Sequence, residues 1–356
     1  NKRADFYPDL WVQGGEKARL AELAISPGTT VVADTWPIDR SHLVFLWEDM
    51  KAANQLEKNS PIGFFQCNLE LRGRALHTSR YQLAVGGGWA ETGEAGKRFG
   101  PSIAKTGQIS LELLVKSSEN NQGPFLTLSG KSGEVLVMAQ KNTDLLVKSG
   151  DNQLTWKDVF TAKSPVHLVL TAGKGDVQLY ENGKAIGRKK LVLDFSATPI
   201  DNFILGDKAG KWQGRIANIG VYNSILPQSV IELTSRLTLK KSEQVEPVKQ
   251  IVLQGSLEES TTIPAPDSLG AYRRALVVNV YKVEKVISGQ YDEERILVAE
   301  WAVLDRQIIK EYPPEPRTEQ LVLEQFDQHP ELEGERQMMD VFEPDLTMYY
   351  RVPDNL

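Results

Sequence analysis

Residues 203–236 constrain the fold more than any other stretch of this chain. Phe203-Ile-Leu-Gly206 ends an apolar run in a glycine turn, Gly214 to Tyr222 alternates as a strand, and Pro227 to Arg236 reads as a short helix. The segment therefore predicts a half-buried strand followed by a covering helix and marks where the first domain stops.

The chain from Ser41 onward supports that reading. Short runs rich in β-branched and aromatic residues recur between Gly, Asn, Asp and Ser: His42–Trp47, Gly63–Leu71, Tyr81–Val85, Ile109–Ser117, Phe125–Gly130, Val135–Gln140, Asp144–Lys148, Val166–Ala172, Val177–Glu181, Leu191–Leu193, Phe203–Leu205 and Gly214–Tyr222. No helix is expected between them, which favours an antiparallel sandwich or barrel over a βαβ fold. Asn182-Gly183, between Val177-Gln-Leu-Tyr-Glu181 and Lys184-Ala-Ile-Gly187, is a two-residue hairpin signal because both turn positions favour positive φ.

At 356 residues the chain suits two domains, and with 41% hydrophobic and 25% charged residues it has an ordinary globular composition. No apolar run approaches the roughly 20 residues that cross a bilayer. The single cysteine, Cys67, excludes an intrachain disulfide and a multi-cysteine metal cluster, and reads as a small buried hydrophobe. Asn1 in place of methionine suggests a processed product or a chain whose leader or anchor is missing, compatible with export and an extracytoplasmic (periplasmic or cell-surface) location, with a peripheral membrane association left open. The net charge of −6 is unevenly spread: from Glu246 onward 22 acidic residues face 11 basic ones, a balance of −11, leaving 30 basic and 25 acidic residues before it. Neither part shows the clustered basic and aromatic stripe of a nucleic-acid groove.

The expected organisation is an arm over 1–40 with a helix at Glu16–Ile25, a sandwich over 41–237, a polar linker over 238–250 and an acidic β-rich domain over 251–356. In the last, Ala275–Ile287 and Glu294–Leu304 form a hairpin across Ser288 to Glu293, with further strands at Glu319–Phe326 and Leu346–Val352. The whole reads as a small antiparallel barrel, similar to the oligonucleotide/oligosaccharide-binding barrels.

Several motifs combine into a family pattern. They are His42-Leu-Val-Phe-Leu-Trp-Glu48, Gly73-Arg-Ala-Leu76, Leu83-Ala-Val-Gly-Gly87, the hairpin Val177 to Gly187, Leu205-Gly206, Trp212-Gln-Gly214-Arg-Ile216, Val221-Tyr222-Asn223, Leu226 and Ile231. Their order over residues 41–237 resembles the laminin-G-like jelly-roll domains of the concanavalin A-like lectin and glucanase class. Ile216, Ile219 and Val221 are then core residues, and Gly214 lets the backbone turn into the strand. That sandwich hosts glycan binders, glycan-cleaving enzymes and interaction modules, so the resemblance implies a fold before a function.

Glycan-cleaving members of such a fold carry Glu-x-Asp-x-x-Glu or a close variant, because retaining cleavage needs two carboxylates about 5 Å apart. No such run occurs here. Glu48-Asp49 point to opposite faces, Glu70 and Glu112 lack a same-face carboxylate two residues away, and Asp292-Glu293-Glu294 sits in a hairpin turn. His42, His77, His167 and His329 are scattered without metal-ligand spacing and read as surface or structural histidines. Ser129-Gly130 and Ser149-Gly150 are turns and no nucleophile elbow, while Gly86-Gly-Gly88 reads as a loop or bulge. Some laminin-G-like domains bind calcium through loop carboxylates, which makes Asp151, Asp176, Asp201 and Asp207 the loop candidates; no calcium-loop spacing links them, and the metal is left open.

Trp89, Trp156 and Trp212 are the residues best suited to stack on a sugar ring, Trp89 and Trp156 from loop-like surroundings and Trp212 from within the fold signature, where packing competes. The string Asp34-Thr-Trp-Pro-Ile-Asp-Arg40 supplies the docking candidates Trp36, Asp39 and Arg40, with a pinned entry loop as the equal alternative. Together these features predict a non-catalytic recognition or scaffold protein that contacts a protein assembly or a surface polysaccharide. The rivals are a glycan-active hydrolase or lyase with an atypical site and a peripheral subunit of a membrane-associated complex.

Overall fold

The computed structural model describes residues 36–48, 69–78, 82–161, 164–244, 246–312 and 317–353. The expected helix Glu16–Ile25, Cys67 and most of the expected strand Gly63–Leu71 lie outside them. The described chain divides into two compact units, one made of the residues up to Leu71 with those of Tyr81–Val245, the other of Arg72–Arg80 with Glu246–Leu356.

In chain order the elements up to residue 244 are β1 (Leu43–Trp47), β2 (Glu70–Gly73), β3 (Leu76–His77), β4 (Leu83–Ala84), β5 (Gly88–Glu91), α1 (Ala95–Thr106), β6 (Gln108–Ser117), β7 (Gln122–Gly130), β8 (Gly133–Lys141), β9 (Asp144–Ser149), β10 (Asn152–Trp156), β11 (Val166–Gly173), β12 (Asp176–Glu181), β13 (Lys184–Lys190), β14 (Asn202–Gly206), β15 (Gly214–Tyr222) and α2 (Gln228–Gln244). The first unit is a sandwich. One of its sheets runs β13-β12-β11-β6-β15-β4, with β1 also on β15; the other runs β10-β9-β8-β7-β14-β5. Ile109, Leu111, Leu113 and Val115 of β6 are fully buried, as are Leu126 and Leu128 of β7. Phe45 of β1 meets Phe203 of β14 edge to face with centroids 5.2 Å apart, so the core lies between the two sheets.

The closing segment forms the strand expected of it. Asn218, at φ 48°, makes a bulge in the pairing of β15 with β6, and this places Ile216, Ile219 and Val221 all in the core despite their uneven spacing. Asn182 and Gly183 both have positive φ, 49° and 82°, in the hairpin joining β12 to β13. Gly214 acts through space and not through a turn: a Cβ there would lie 2.5 Å from the Trp212 ring and 2.8 Å from the Lys116 carbonyl oxygen.

Other details correct the expectations. The helix after β15 extends to Gln244, so residues 238–244 of the expected linker are its last turns, where Leu, Lys, Glu and Gln favour helix and Thr238 is buried. Packing Leu226, Val230 and Ile231 with Val169, Tyr180 and Tyr222, α2 lies over the outer face of the first sheet and does not close an end. Leu191–Leu193 is not a strand, because the chain leaves the sheet after Lys190 and Asp194 Oδ1 accepts the Ser196 and Ala197 amides to start a turn. Among strands where no helix is expected stands α1; Gly96, Gly100 and Pro101 hide it in the sequence, yet its small face packs closely on the chain at Ile200–Asn202.

The second unit contains β16 (Gln250–Glu259), β17 (Ala275–Ser288), β18 (Arg295–Leu304), β19 (Gln307–Ile308), β20 (Thr318–Gln325), β21 (Arg336–Met338) and β22 (Met348–Arg351). Five of them close the ring β16-β17-β18-β22-β20, returning to β16. The acidic C-terminal region is therefore a closed five-stranded barrel, with β18 parallel to β22 in the ring and β21 parallel to β17 beside it, pairings that no sequence run discloses. Leu253, Tyr281, Ile296, Val298, Leu321 and Leu323 pack together within it. At one end Glu300, 3% exposed, accepts hydrogen bonds from Asn279 and Tyr281 at 2.8 Å each and pairs with Lys310 at 2.8 Å and Arg351 at 3.2 Å. Balanced by two cations and two neutral donors, this buried carboxylate is well satisfied.

Candidate functional site

Among the three tryptophans suited to stacking, the structure leaves Trp89 partly open. It stands on β5, where Gly88 and Ala90 are buried and Trp89 and Glu91 point to the opposite face. The register sets Gly206 of β14 directly across from Trp89, so that strand places no side chain against the indole at that position. Trp89 Nε1 donates to Glu91 Oε1 at 3.0 Å, which fixes the ring. Lys208 Nζ pairs with the same carboxylate at 3.3 Å and lies 5.9 Å from the ring centroid.

Two glycines near Trp89 and Lys208 in the chain approach each other closely. A Cβ on Gly210, at φ 69°, would fall 3.3 Å from Gly87 Cα, so the turn at Gly86–Gly87 and the loop at 207–210 meet backbone to backbone. Asp207 ties that loop: its two carboxylate oxygens accept the Ala209 amide at 2.8 Å and the Lys211 amide at 3.1 Å. The result is a flat indole flanked by a carboxylate, an ammonium group and bare backbone, an arrangement able to stack on a ring and hydrogen-bond hydroxyl groups.

The other tryptophans serve the interior. Trp156 is 4% exposed, donates to the Gly187 carbonyl at 3.3 Å and lies under Lys189 Nζ at 4.7 Å, so its burial corrects the expectation of a stacking surface. Trp212 is fully buried, donates to Gln140 Oε1 at 2.9 Å and packs on Phe125 at 5.4 Å. Packing therefore takes precedence over binding at both positions.

The docking string is likewise mostly internal. Trp36 is 6% exposed and Asp39 1%, while Arg40 is partly buried. As a correction, Trp36 and Asp39 form a pinned entry loop and present no docking surface. Asp39 Oδ1 accepts the Ser41 amide at 2.8 Å, and burial holds its carboxyl above the usual carboxylate range.

Trp36 points to a hub that the sequence conceals. Glu112, in the middle of β6, is 1% exposed and turned away from the sandwich core toward α2. Its Oε1 accepts from Trp36 Nε1 at 2.7 Å and Thr234 Oγ1 at 2.7 Å and lies 2.9 Å from His167 Nε2; its Oε2 accepts from Tyr222 OH at 2.7 Å. Burial alone would push Glu112 up, but His167 and the hydroxyl donors hold it below its ordinary value. Tyr222 is pushed well above its own, by burial and then by the Glu112 charge. Sealed from solvent and satisfied by four donors, Glu112 is structural. A lone charge within Ile109-Ser-Leu-Glu-Leu-Leu-Val115 was the sequence signal for such a buried polar centre.

The aspartates do not converge. Asp207 is 5% exposed and committed to backbone amides, Asp176 pairs with Lys190 at 2.8 Å, Asp151 is exposed in the turn between β9 and β10, and Asp201 lines an open depression of about 430 Å³ with Lys131, Ser132, Ala197 and Pro199. Among the described residues no group of three or more His, Cys, Asp or Glu side chains is placed to hold a metal ion, and no helix is long and apolar enough to cross a membrane.

With the sandwich and its faces established, similarity to known proteins can be placed on it. Residues 91–232 match the concanavalin A-like lectin/glucanases superfamily. That span runs from Glu91 beside Trp89, through the Glu112 strand and the closing signature, into α2. No curated protein matches the chain. Similar solved structures include a Trypanosoma rangeli sialidase mutant displaying trans-sialidase activity, 17% identical over 49% of this chain and 30% of that one, with a TM-score of 0.40. The receptor-binding domain of botulinum neurotoxin C/D mosaic serotype is 12% identical over 81% of this chain and 72% of that one, with a TM-score of 0.44. Botulinum neurotoxin type C, in a structure concerned with cell entry through two ganglioside molecules, is 12% identical over 71% of this chain and 64% of that one, also at 0.44.

Proposed function

We propose that this protein is a non-catalytic recognition or scaffold protein acting outside the cytoplasm, and that its sandwich contacts a surface polysaccharide through the face around Trp89. The observation that carries this reading is the partly exposed Trp89 ring, held by Glu91 and set across from Gly206, while the two other candidate tryptophans are buried. The matched superfamily is named for lectins and glucanases, two classes that handle glycans. Against catalysis stands the surrounding chemistry: Glu91 is committed to Trp89 and Lys208, and Glu112 is sealed.

A glycan microarray of the wild-type chain and the Trp89→Ala variant tests the reading. Binding that depends on Trp89 supports it; binding that survives the substitution refutes the assigned face, and no binding at all shifts the contact to a protein assembly. Incubation with β-glucans, galactans and uronate polymers tests the rival. Turnover abolished by Glu91→Gln would make the site catalytic.

A further inference from the structure

The second unit joins strong negative charge to exposed apolar side chains. Its residues from 246 onward carry a balance of −11, which Arg72, Arg74 and Arg80 bring to −8 for the unit, and within the strap 339–345 Phe342 is 84% and Met339 45% exposed. The strap itself is anchored. The Asp340 amide donates to Thr261 Oγ1 at 3.0 Å, and the Thr262 amide donates to Asp340 Oδ2 at 2.8 Å. Val341 is buried against Val278, Val280, Leu297 and Ala299, and Arg295 Nη1 donates to Glu343 Oε1 at 2.6 Å. A phenylalanine held outward on a fixed backbone gives up little conformational freedom on docking, and aromatic anchors of this kind dominate interface energies. Asp345, exposed three residues on, has no ion-pair partner among the described residues.

The first unit carries the complementary surface. Without Arg72, Arg74 and Arg80, which belong to the second unit, the chain before Glu246 has 27 basic and 25 acidic residues (30 less 3), and β13 with the residue pair after it carries Lys184, Arg188, Lys189 and Lys190 beside the apolar Ile186 and Val192. Ile186 is 37% exposed, Val192 is 74% exposed, and Arg188 and Lys190 stand between them. Basic residues on an edge strand guard against strand pairing, but exposed valine and isoleucine do not serve that purpose. Lys190 pairs with Asp176, whereas Arg188 has no ion-pair partner among the described residues.

We propose that the acidic strap of one copy docks on the β13 edge of a second copy, Phe342 and Met339 meeting Ile186 and Val192 with Asp345 opposite Arg188. The contact uses different surfaces on the two copies, so it propagates head to tail, as a closed ring or an open filament. It stands on the exposure and charge of side chains other than Trp89, Glu91 and Lys208 and is independent of the glycan reading. An anionic lipid surface is disfavoured as the occupant of the strap by the same negative charge.

Light scattering of the full chain over about a hundredfold concentration range at low salt reads the association directly. The expected result is a mass that rises with concentration and falls back on adding salt. Phe342→Ser and Val192→Ser, both at exposed positions, should each weaken association about tenfold or more while leaving the thermal melt unchanged. Asp345→Lys and Arg188→Glu should each associate poorly alone and regain association when mixed, because the unaltered strap of Arg188→Glu then meets the unaltered edge of Asp345→Lys, and the two altered positions meet as a swapped ion pair. A chain monomeric throughout, Phe342→Ser associating like the wild type, or no recovery on mixing would overturn the proposal.

Discussion

Thr234 on α2 donates its hydroxyl to Glu112 on β6 at 2.7 Å, a bond across 122 residues that joins the closing helix to the central strand. The helix is thereby fastened by polar as well as apolar contacts. Thr234→Val removes one hydrogen bond to a buried charge and is expected to cost about 1.5–3 kcal/mol, read as a lower urea midpoint of the full chain by tryptophan fluorescence. Thr234→Ser, which keeps the hydroxyl, should recover most of it. Glu112→Ala should cost more than Thr234→Val, since Trp36, Tyr222 and His167 then lose a shared partner in a buried site. Because Glu112 is held below its ordinary value, its contribution is present at neutral pH and is lost as pH falls through the acid range.

Gly214 tolerates no side chain because Trp212 occupies its space. Gly214→Ala places a methyl group 2.5 Å from the indole and 2.8 Å from a backbone carbonyl, and overpacking of this kind costs about 1–3 kcal/mol. In a Trp212→Phe background the outer indole atoms are gone, so the added penalty of Gly214→Ala should shrink, while the Lys116 carbonyl keeps it above zero. A double-mutant cycle on urea midpoints measures the coupling. Equal penalties in both backgrounds would show that the ring is not the obstacle.

Why these residues were unequally legible follows from the range of the forces involved. Gly214 to Tyr222 is readable because alternation and β-branching are local, and Asn182-Gly183 because positive φ is a property of two residues. Three outcomes depended on distant partners instead. The helix α1 contains two glycines and a proline that look like breakers until the chain at Ile200 packs on them. Trp156 sits in loop-like sequence, but Gly187 and Lys189 from another strand cover it. Trp89 was legible as a candidate; Glu91, Lys208 and the bare Gly206 opposite it were not, since cross-strand register assembles them.

In the second unit His329 lies between two carboxylates, Nδ1 2.8 Å from Glu331 and Nε2 3.0 Å from Glu324, with Tyr350 against the ring at 4.6 Å. Burial opposes its charge, yet the two carboxylates raise its pKa from 6.5 to about 9. A raised histidine stabilises fully below its unfolded value and loses that contribution as pH rises through the folded one. Urea unfolding should therefore show the barrel weakening between about pH 6.5 and 9, by on the order of 2–3 kcal/mol at most, and His329→Gln should flatten the slope. Burial keeps Tyr350 protonated through that window, so it does not contribute. An unchanged slope in His329→Gln would assign the effect to another group.

Trp89 differs from Trp156 and Trp212 in exposure, and that difference separates binding from stability. Trp212→Ala and Trp156→Ala empty buried sites and should each cost about 3–5 kcal/mol, whereas Trp89→Ala should leave the thermal melt nearly unchanged. On a glycan that the wild-type chain binds, Trp89→Ala should weaken affinity about tenfold or more, roughly 1.4 kcal/mol. Lys208 then reports the ligand's charge, because its ammonium group is near both the ring and Glu91. Lys208→Ala uncovers the indole face and removes a cation. Titration calorimetry should show equal or tighter binding for a neutral glycan and weaker, less salt-sensitive binding for a uronate or sulfated one. If Lys208→Ala and Trp89→Ala both leave affinity intact, the glycan contact lies away from β5.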